Sequence, residues 1–181
     1  MPTIGFTEWS TVVNENPKKY WTINQFYISK EKLKTDPATR KATRDPSKFL
    51  QDTHVFVQGF GKLNKISVDP SGFDSNVYEK HNCLDGMGTH YYYKLTDDFE
   101  CKDENMFPWF LLVQDDQLVS TGLVVYGPRK RGDGQIDWLE DYNENVVGAV
   151  LRKKVQCMWD IGKNKGFTVL HTYFIDKPYD I

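Results

Sequence analysis

The chain has no long hydrophobic run among its 181 residues. No apolar stretch approaches the roughly 20 residues that a transmembrane helix needs, so no membrane-spanning helix is expected. The opening segment Met1–Phe6 is soon followed by the charged Glu8, and no signal peptide is recognisable in it. Taken at face value, these absences predict a cytoplasmic protein; removal of a signal peptide before the chain begins would make it a secreted one.

Cysteine is scarce, with only Cys83, Cys101 and Cys157 in the chain. No Cys-x-x-Cys spacing occurs, so neither a thiolate zinc site nor a redox dithiol is indicated. Cys83 and Cys101 lie in polar, loop-like contexts and are candidates for a disulfide, which would require an oxidising compartment. Cys157 has apolar neighbours and is predicted to be a buried thiol.

The chain has no large excess of either acidic or basic residues, and its formal net charge is −2. A general nucleic-acid-binding protein needs a basic surface, so nucleic acid is not an expected partner. The exception is a long basic loop at about residues 30–48, with space for one helical turn. This segment is either a solvated loop or a surface for an anion, a membrane or a partner protein. Its net charge of +4 comes from three acidic residues and seven basic ones, namely Lys30, Lys32, Lys34, Arg40, Lys41, Arg44 and Lys48.

Recognisable catalytic and calcium motifs are absent. There is no Gly-x-Ser-x-Gly nucleophile elbow and no EF-hand spacing. Nucleophilic catalysis of that kind and EF-hand calcium binding are therefore not indicated.

Aromatic residues are plentiful, with ten Tyr, eleven Phe and five Trp making up 14% of the chain. Aromatic side chains favour strands and bury large areas. They indicate either an aromatic β core or an aromatic-lined pocket, and the composition leaves both open.

A β-hairpin from Trp109 to Tyr126 is the clearest structural unit of the sequence. Two apolar, β-rich runs flank the short polar connection Gln114–Gln117. Other strand-like runs recur at spacings of about ten residues, and together they suggest about seven to nine strands. We therefore predict one mainly β domain over residues 1–181, an antiparallel β-barrel or sandwich.

One late α-helix is predicted from Glu144 to about Met158, because Val147, Val150, Leu151, Val155 and Met158 fall on one helical face. A late helix followed by one further strand is similar to the architecture of lipocalins, by analogy only. Lipocalins begin with Gly-x-Trp, and Gly5 and Trp9 do not have that spacing. No motif assigns the chain to a family.

Three histidines, His54, His90 and His171, lie within or at the start of predicted strands. If those strands are neighbours, the three imidazoles could converge and bind zinc, copper or iron. An open coordination position would then activate a water molecule. A histidine–metal enzyme with these three ligands is therefore an alternative function, although no pair has a recognisable metal-binding spacing.

The leading hypothesis is a protein that binds a hydrophobic or aromatic small molecule, such as a lipidic or conjugated ligand, in an aromatic-lined β interior. A transition metal and a partner-binding role of the basic segment are the alternatives. The residues expected near the ligand are His54, His90, Tyr92, Trp109, His171 and Tyr173.

Overall fold

Eleven β-strands in three antiparallel sheets, four α-helices and a short 3-10 helix (Pro70–Gly72) make up the regular structure of the described residues. The structure is a computed structural model and describes residues 4–13, 15–127, 129, 138–152 and 154–178. It contains two compact units, the first comprising residues up to 68 together with 102–107, and the second the remainder. The mainly β, antiparallel prediction is confirmed, with more strands than the seven to nine expected. The prediction of one domain over 1–181 stays a prediction.

The first unit contains two small sheets and two short helices. Strands β1 and β2 pair as a hairpin, and the second sheet has the order β3-β4-β5. The elements are β1 (Thr7–Val13), β2 (Asn16–Thr22), β3 (Gln25–Phe26), α1 (Lys30–Lys34), α2 (Pro37–Ala42), β4 (His54–Gly59) and β5 (Lys62–Ser67).

The basic segment lies in this first unit and holds both helices rather than one helical turn. Ser29 caps α1, Asp36 caps α2, and Pro37 occupies the first turn of α2, where its missing N–H costs nothing. Neither helix has a buried residue. The backbone N–H of Ser29 donates to Asp52 Oδ2 at 2.8 Å, which joins the two ends of the stretch that contains the basic segment.

The second unit contains a six-stranded sheet with the order β10-β11-β9-β8-β7-β6, and two helices. None of the four helices in the described ranges is long and apolar enough to cross a membrane. The elements are β6 (Tyr78–Leu84), β7 (Gly88–Tyr93), β8 (Trp109–Gln114), β9 (Gln117–Tyr126), β10 (Glu140–Tyr142), α3 (Glu144–Val150), α4 (Gln156–Asn164) and β11 (Phe167–Tyr173).

The predicted hairpin is confirmed as β8 and β9. Asp115 and Asp116 connect the strands with φ angles of 46° and 56°. Two consecutive left-handed residues are the signature of a type I′ turn, whose twist matches that of the paired strands. The polar turn that the sequence indicated thus has the backbone geometry that a tight hairpin requires.

The predicted helix over 144–158 is two helices, because the chain turns between α3 and α4. Leu151 ends α3 with extended angles of φ −90° and ψ 120°. A Cβ at Gly148 would lie 2.7 Å from Cη2 of Trp159, so the glycine lets α4 pack closely on α3. The single apolar face read from the sequence is divided between two packed helices.

Helix α3 runs from one edge of the six-stranded sheet to the other. It follows the edge strand β10 after a single residue, Asn143, and it packs against β6, the opposite edge strand.

Two hydrogen bonds fasten the C-terminal end of α3 to β6. Asn82 Nδ2 donates to the Ala149 carbonyl at 2.9 Å, and the Arg152 N–H donates to His81 Nδ1 at 3.3 Å. Among the residues that the structure describes, the edge strands β6 and β10 do not pair with each other, so this sheet is not closed into a barrel. The barrel alternative and the lipocalin analogy are therefore wrong, and open sheets fit the sandwich alternative.

The disulfide joins Cys101 to Cys157, with their Cα atoms 5.9 Å apart, and Cys83 is an exposed free thiol on β6. The candidate pairing of Cys83 with Cys101 is therefore wrong, as is the buried thiol at Cys157. The bonded cysteines are 56 residues apart in the chain. Packing of α4 brings them together, and sequence spacing carries no signal of that packing.

We expect loss of this disulfide to lower the free energy of unfolding by about 4 kcal/mol, because the bond closes a long loop in the unfolded chain. The measurement is urea unfolding of the Cys101→Ser/Cys157→Ser double variant against the wild type. The matched control is Cys83→Ser, which should leave the unfolding midpoint unchanged. Alkylation of native, unreduced protein should label Cys83 alone, and a disulfide-linked peptide containing Cys83 would contradict the assignment.

Candidate functional site

A row of residues crosses four strands of the six-stranded sheet on one face. Tyr92 on β7 lies opposite Phe110 on β8, Phe110 lies opposite Gly122 on β9, and Gly122 lies opposite His171 on β11. Directly opposed residues of antiparallel strands have their side chains on the same face. His90 and Tyr173 are two positions from Tyr92 and His171 along their strands, so they also project from this face.

The rings of these residues form a continuous cluster. Tyr92 lies 5.3 Å from Phe110 between centroids, and His90 stacks on both at 6.0 and 5.9 Å. His171 meets Phe110 edge to face at 5.6 Å and stacks on Tyr173 at 5.7 Å. We call these five residues, His90, Tyr92, Phe110, His171 and Tyr173, the ring cluster.

Gly122 makes the cluster continuous because it leaves space for a ring in the middle of the sheet. A Cβ at this position would lie 2.0 Å from Cζ of Phe110. The Phe110 ring therefore lies across the bare backbone of β9 and reaches His171 on the next strand. A glycine inside a strand often marks such a close approach, which is the signal that the sequence offered for Phe110.

The ring cluster lies on the face of the sheet where α3 ends. His81, at the irregularity of β6, contacts the Tyr92 ring edge to face at 5.5 Å. The same imidazole accepts a hydrogen bond from the N–H of Arg152, two residues after the end of α3. His81 therefore connects the ring cluster to the segment that follows the helix.

A polar chain lies at the β10 edge of the cluster. Tyr142 donates its hydroxyl hydrogen to Oε2 of Glu140, and Oε1 of Glu140 lies 3.1 Å from Nδ1 of His171. Register places both β10 residues on the face of the rings, since they oppose Phe167 and Val169. The His171 side chain is 3% exposed and that of Glu140 is 34% exposed, so the chain runs from the rim into the interior.

His90 is held neutral in the floor of the cluster. Desolvation by burial is the main cause that lowers its pKa to about 4. Its Nδ1 lies 3.3 Å from the Asn82 carbonyl, which only accepts, so Nδ1 carries the hydrogen and Nε2 the lone pair. Burial likewise raises the pKa of the Tyr92 and Tyr126 phenols, which therefore stay protonated.

His81 has a structural role, because both of its ring nitrogens have backbone partners. Nε2 donates to the Leu95 carbonyl at 3.1 Å, and Nδ1 accepts from Arg152. This arrangement needs only the neutral imidazole. The residue is 3% exposed and connects β6 to the two segments that pack beside it.

Of the six residues expected near a ligand, the structure brings four together: His90, Tyr92, His171 and Tyr173. Trp109 has the opposite parity to Phe110 on β8, is 1% exposed, and packs on the other face of the sheet. His54 belongs to β4 of the first unit, where its Nδ1 lies 2.8 Å from Thr53 Oγ1.

Sequence reasoning missed Phe110, Glu140 and Tyr142. Phe110 is adjacent to Trp109, and a run that is apolar on both faces gives no alternation from which to choose between them. Glu140 and Tyr142 belong to a strand of only three residues, too short for a periodic signal.

The metal alternative finds no support in the described part of the chain. No group of three or more His, Cys, Asp or Glu side chains there is arranged to hold a metal ion. His54 lies on a different sheet from His90 and His171, so these three ligands do not belong to one set of neighbouring strands.

A groove of about 320 Å³ lies at the ends of β6, β7 and β8. Its wall includes Lys80, Tyr91, Asp115 and Asp116. Tyr91 alternates with His90 and Tyr92 along β7, so the groove is on the other face of the sheet from the ring cluster. The groove is an alternative binding site for a ligand, and a substitution at Tyr91 distinguishes it from the ring cluster.

Comparisons with known proteins assign no family. The chain matches no protein-family model, no curated protein and no solved structure.

We expect Gly122→Ala to lower the free energy of unfolding by about 1–3 kcal/mol, because the new methyl group displaces the Phe110 ring. Without that ring the same change would be favourable in a strand, since alanine loses less backbone entropy. The measurement is a double-mutant cycle with Phe110→Leu, followed by urea unfolding. The cost of Gly122→Ala should fall by at least about 1 kcal/mol in the Phe110→Leu background, and simple additivity would refute the contact.

We also expect stability to fall as the pH drops from 6.5 to about 4, because His90 takes up a proton more readily in the unfolded chain. The contribution is fully present above pH 6.5 and amounts to about 3 kcal/mol. The measurement is urea unfolding at pH 7 and pH 4, comparing the wild type with His90→Phe. A variant that retains the whole pH dependence would show that another group is responsible.

Proposed function

We propose that the second unit binds a hydrophobic or aromatic small molecule on the ring cluster, on one face of the six-stranded sheet. The observation that carries this proposal is the row of opposed residues across four strands, three of which contribute rings. Small-molecule sites are typically concave and mostly apolar, with a few polar groups that orient the ligand. Here the polar groups are the imidazoles of His90 and His171.

Partial exposure of the rings supports access from one side. Phe110 and His90 are each 2% exposed and make the floor. Tyr92 and Tyr173 are half-buried, although their hydroxyl groups are buried. The neighbouring Tyr142 is half-buried and Glu140 is partly exposed, so solvent approaches the cluster at the β10 edge. A planar apolar molecule that stacks on these rings would displace the water in contact with them. Stacked aromatic pairs stabilise a complex by about 0.5–1.5 kcal/mol beyond the effect of the buried area.

The polar content of the cluster also favours a site over a plain structural core. A neutral imidazole without a full set of hydrogen bonds costs free energy when buried, and a carboxylate costs more. His81 shows how this chain satisfies a structural histidine, with a backbone partner for each ring nitrogen. The pair of Glu140 and His171 is arranged differently: Nδ1 of His171 has a side-chain partner, and among the described residues its Nε2 makes no hydrogen bond, which leaves that nitrogen for a ligand.

An oxidising compartment fits the structure better than the cytoplasm. Structural disulfides persist in secreted and periplasmic proteins and are rare in reducing compartments. The bond between Cys101 and Cys157 supports that setting. Alkylation of thiols in the cells that make the protein, before lysis, tests the oxidising compartment. Alkylated Cys101 and Cys157 would show that the pair is reduced there and would overturn this inference.

We expect delipidated protein to bind 1,6-diphenyl-1,3,5-hexatriene, an apolar conjugated probe that fluoresces when water is excluded, in a saturable manner. Tyr92→Leu should weaken binding about tenfold, because loss of a stacking ring costs roughly 1.4 kcal/mol. Tyr91→Leu is the matched control one position along β7, on the face of the groove, and should bind as the wild type does.

Three outcomes decide this proposal, with thermal melts confirming that each variant is folded. Saturable binding that Tyr92→Leu weakens and Tyr91→Leu does not supports it. Weakening by Tyr91→Leu alone would move the ligand to the groove, and an absence of saturable binding to the wild type would reject the proposal outright.

A further inference from the structure

We propose that the ligand carries a hydrogen-bond donor, a hydroxyl or N–H on an aromatic or conjugated body, and that Nε2 of His171 accepts it. This inference rests on the proposed function and specifies the class of ligand. Its basis is the polar chain formed by Tyr142, Glu140 and His171 at the rim of the ring cluster.

The chain determines which nitrogen of His171 carries the hydrogen. A carboxylate accepts hydrogen bonds and does not donate them, so Nδ1 must donate to Oε1 of Glu140. The other carboxylate oxygen accepts the Tyr142 hydroxyl, which holds Glu140 in place. In the neutral imidazole the lone pair is therefore on Nε2.

The position of His171 aims that lone pair into the cluster. Strand β11 lies between β10 and β9, and Nδ1 is turned toward Glu140 on β10. Because β10 and β9 flank β11 on opposite sides, a ring whose Nδ1 faces β10 leaves Nε2 on the side away from Glu140, and the residue opposed to His171 on β9 is Gly122. Neither Gly122 nor the adjacent Phe110 has a side-chain donor. Within the described ranges, the His171 imidazole makes a single hydrogen bond, the one to Glu140.

His90 offers a second Nε2 lone pair, and both imidazoles are buried, with His90 2% exposed and the His171 side chain 3% exposed. His90 stacks on Tyr92 and on Phe110 in the floor of the cluster. His171 differs in its contact with the partly exposed Glu140 at the rim. A ligand that enters beside Glu140 therefore meets His171 before His90, with its apolar body along the rings.

The test uses two ligands of nearly the same shape, 2-naphthol and 2-methylnaphthalene, as competitors of the bound hexatriene probe at pH 8. A purely apolar site prefers 2-methylnaphthalene, because its methyl group loses no hydrogen bonds to water on burial. We expect wild-type protein to prefer 2-naphthol by roughly three- to tenfold, the range of one net hydrogen bond.

His171→Phe keeps a ring of similar size and should reverse this preference while it still binds the probe. Glu140 acts through His171, so it is a positioning residue. Glu140→Gln should diminish the preference, because an amide that donates to Nδ1 would leave the hydrogen on Nε2. The matched control is Asp141→Asn, the neighbouring carboxylate on the other face of β10, which should keep the wild-type preference.

Failure of this inference is distinguishable from failure of the proposed function. Absence of probe binding to the wild type removes both. Probe binding with equal displacement by the two competitors, or with preference for 2-methylnaphthalene, overturns only the donor inference. A preference that survives in His171→Phe and disappears in His90→Phe would likewise overturn it, since the acceptor would then be His90.

Discussion

The attachment of α3 to β6 is the interaction on which the second unit depends. The helix follows one edge strand, β10, after a single residue, and its C-terminal end is hydrogen-bonded to the opposite edge strand through Asn82 and His81. This attachment places the irregular part of β6 beside the end of the helix. His81 contacts both the helix end and Tyr92, so the same attachment holds one side of the ring cluster. At the other side, β10 leads directly into α3 and contributes Glu140 to the rim.

Gly122 has a comparable role within the sheet itself. In most sheets a side chain on a middle strand lies between the side chains of the two strands that flank it. Here the missing side chain lets Phe110 lie over β9 and meet His171 edge on, so rings from β7, β8 and β11 join into one surface. The floor of the candidate site therefore depends on the missing side chain of Gly122 as well as on the aromatic residues around it.

The histidines of the second unit illustrate how environment divides one residue type into different roles. His81 has a backbone partner on each nitrogen and serves as a structural connection. His90 is buried deeply enough that desolvation keeps it neutral near physiological pH. His171 is oriented by a carboxylate, and that partner decides where its lone pair points. The three histidines belong to the same sheet, but their hydrogen-bond partners differ. Those partners distinguish a histidine with a structural role from one proposed to bind a ligand.

Local sequence patterns were enough to predict the mainly β, antiparallel class and the hairpin from Trp109 to Tyr126, and they singled out four of the residues that the fold brings together in the ring cluster. Each of these depends on local information: alternation along a strand, a polar turn between two apolar runs, or a histidine flanked by aromatic residues. Other features follow only from how distant segments pack: the division of the helix over 144–158, the pairing of Cys101 with Cys157, the orientation of Trp109 away from the rings, and the contact of Glu140 with His171. These features join residues far apart in the chain, or choose between two faces of a strand that is apolar on both. Periodicity cannot encode either choice, because it describes a segment relative to itself and not to the strand or helix that finally packs against it.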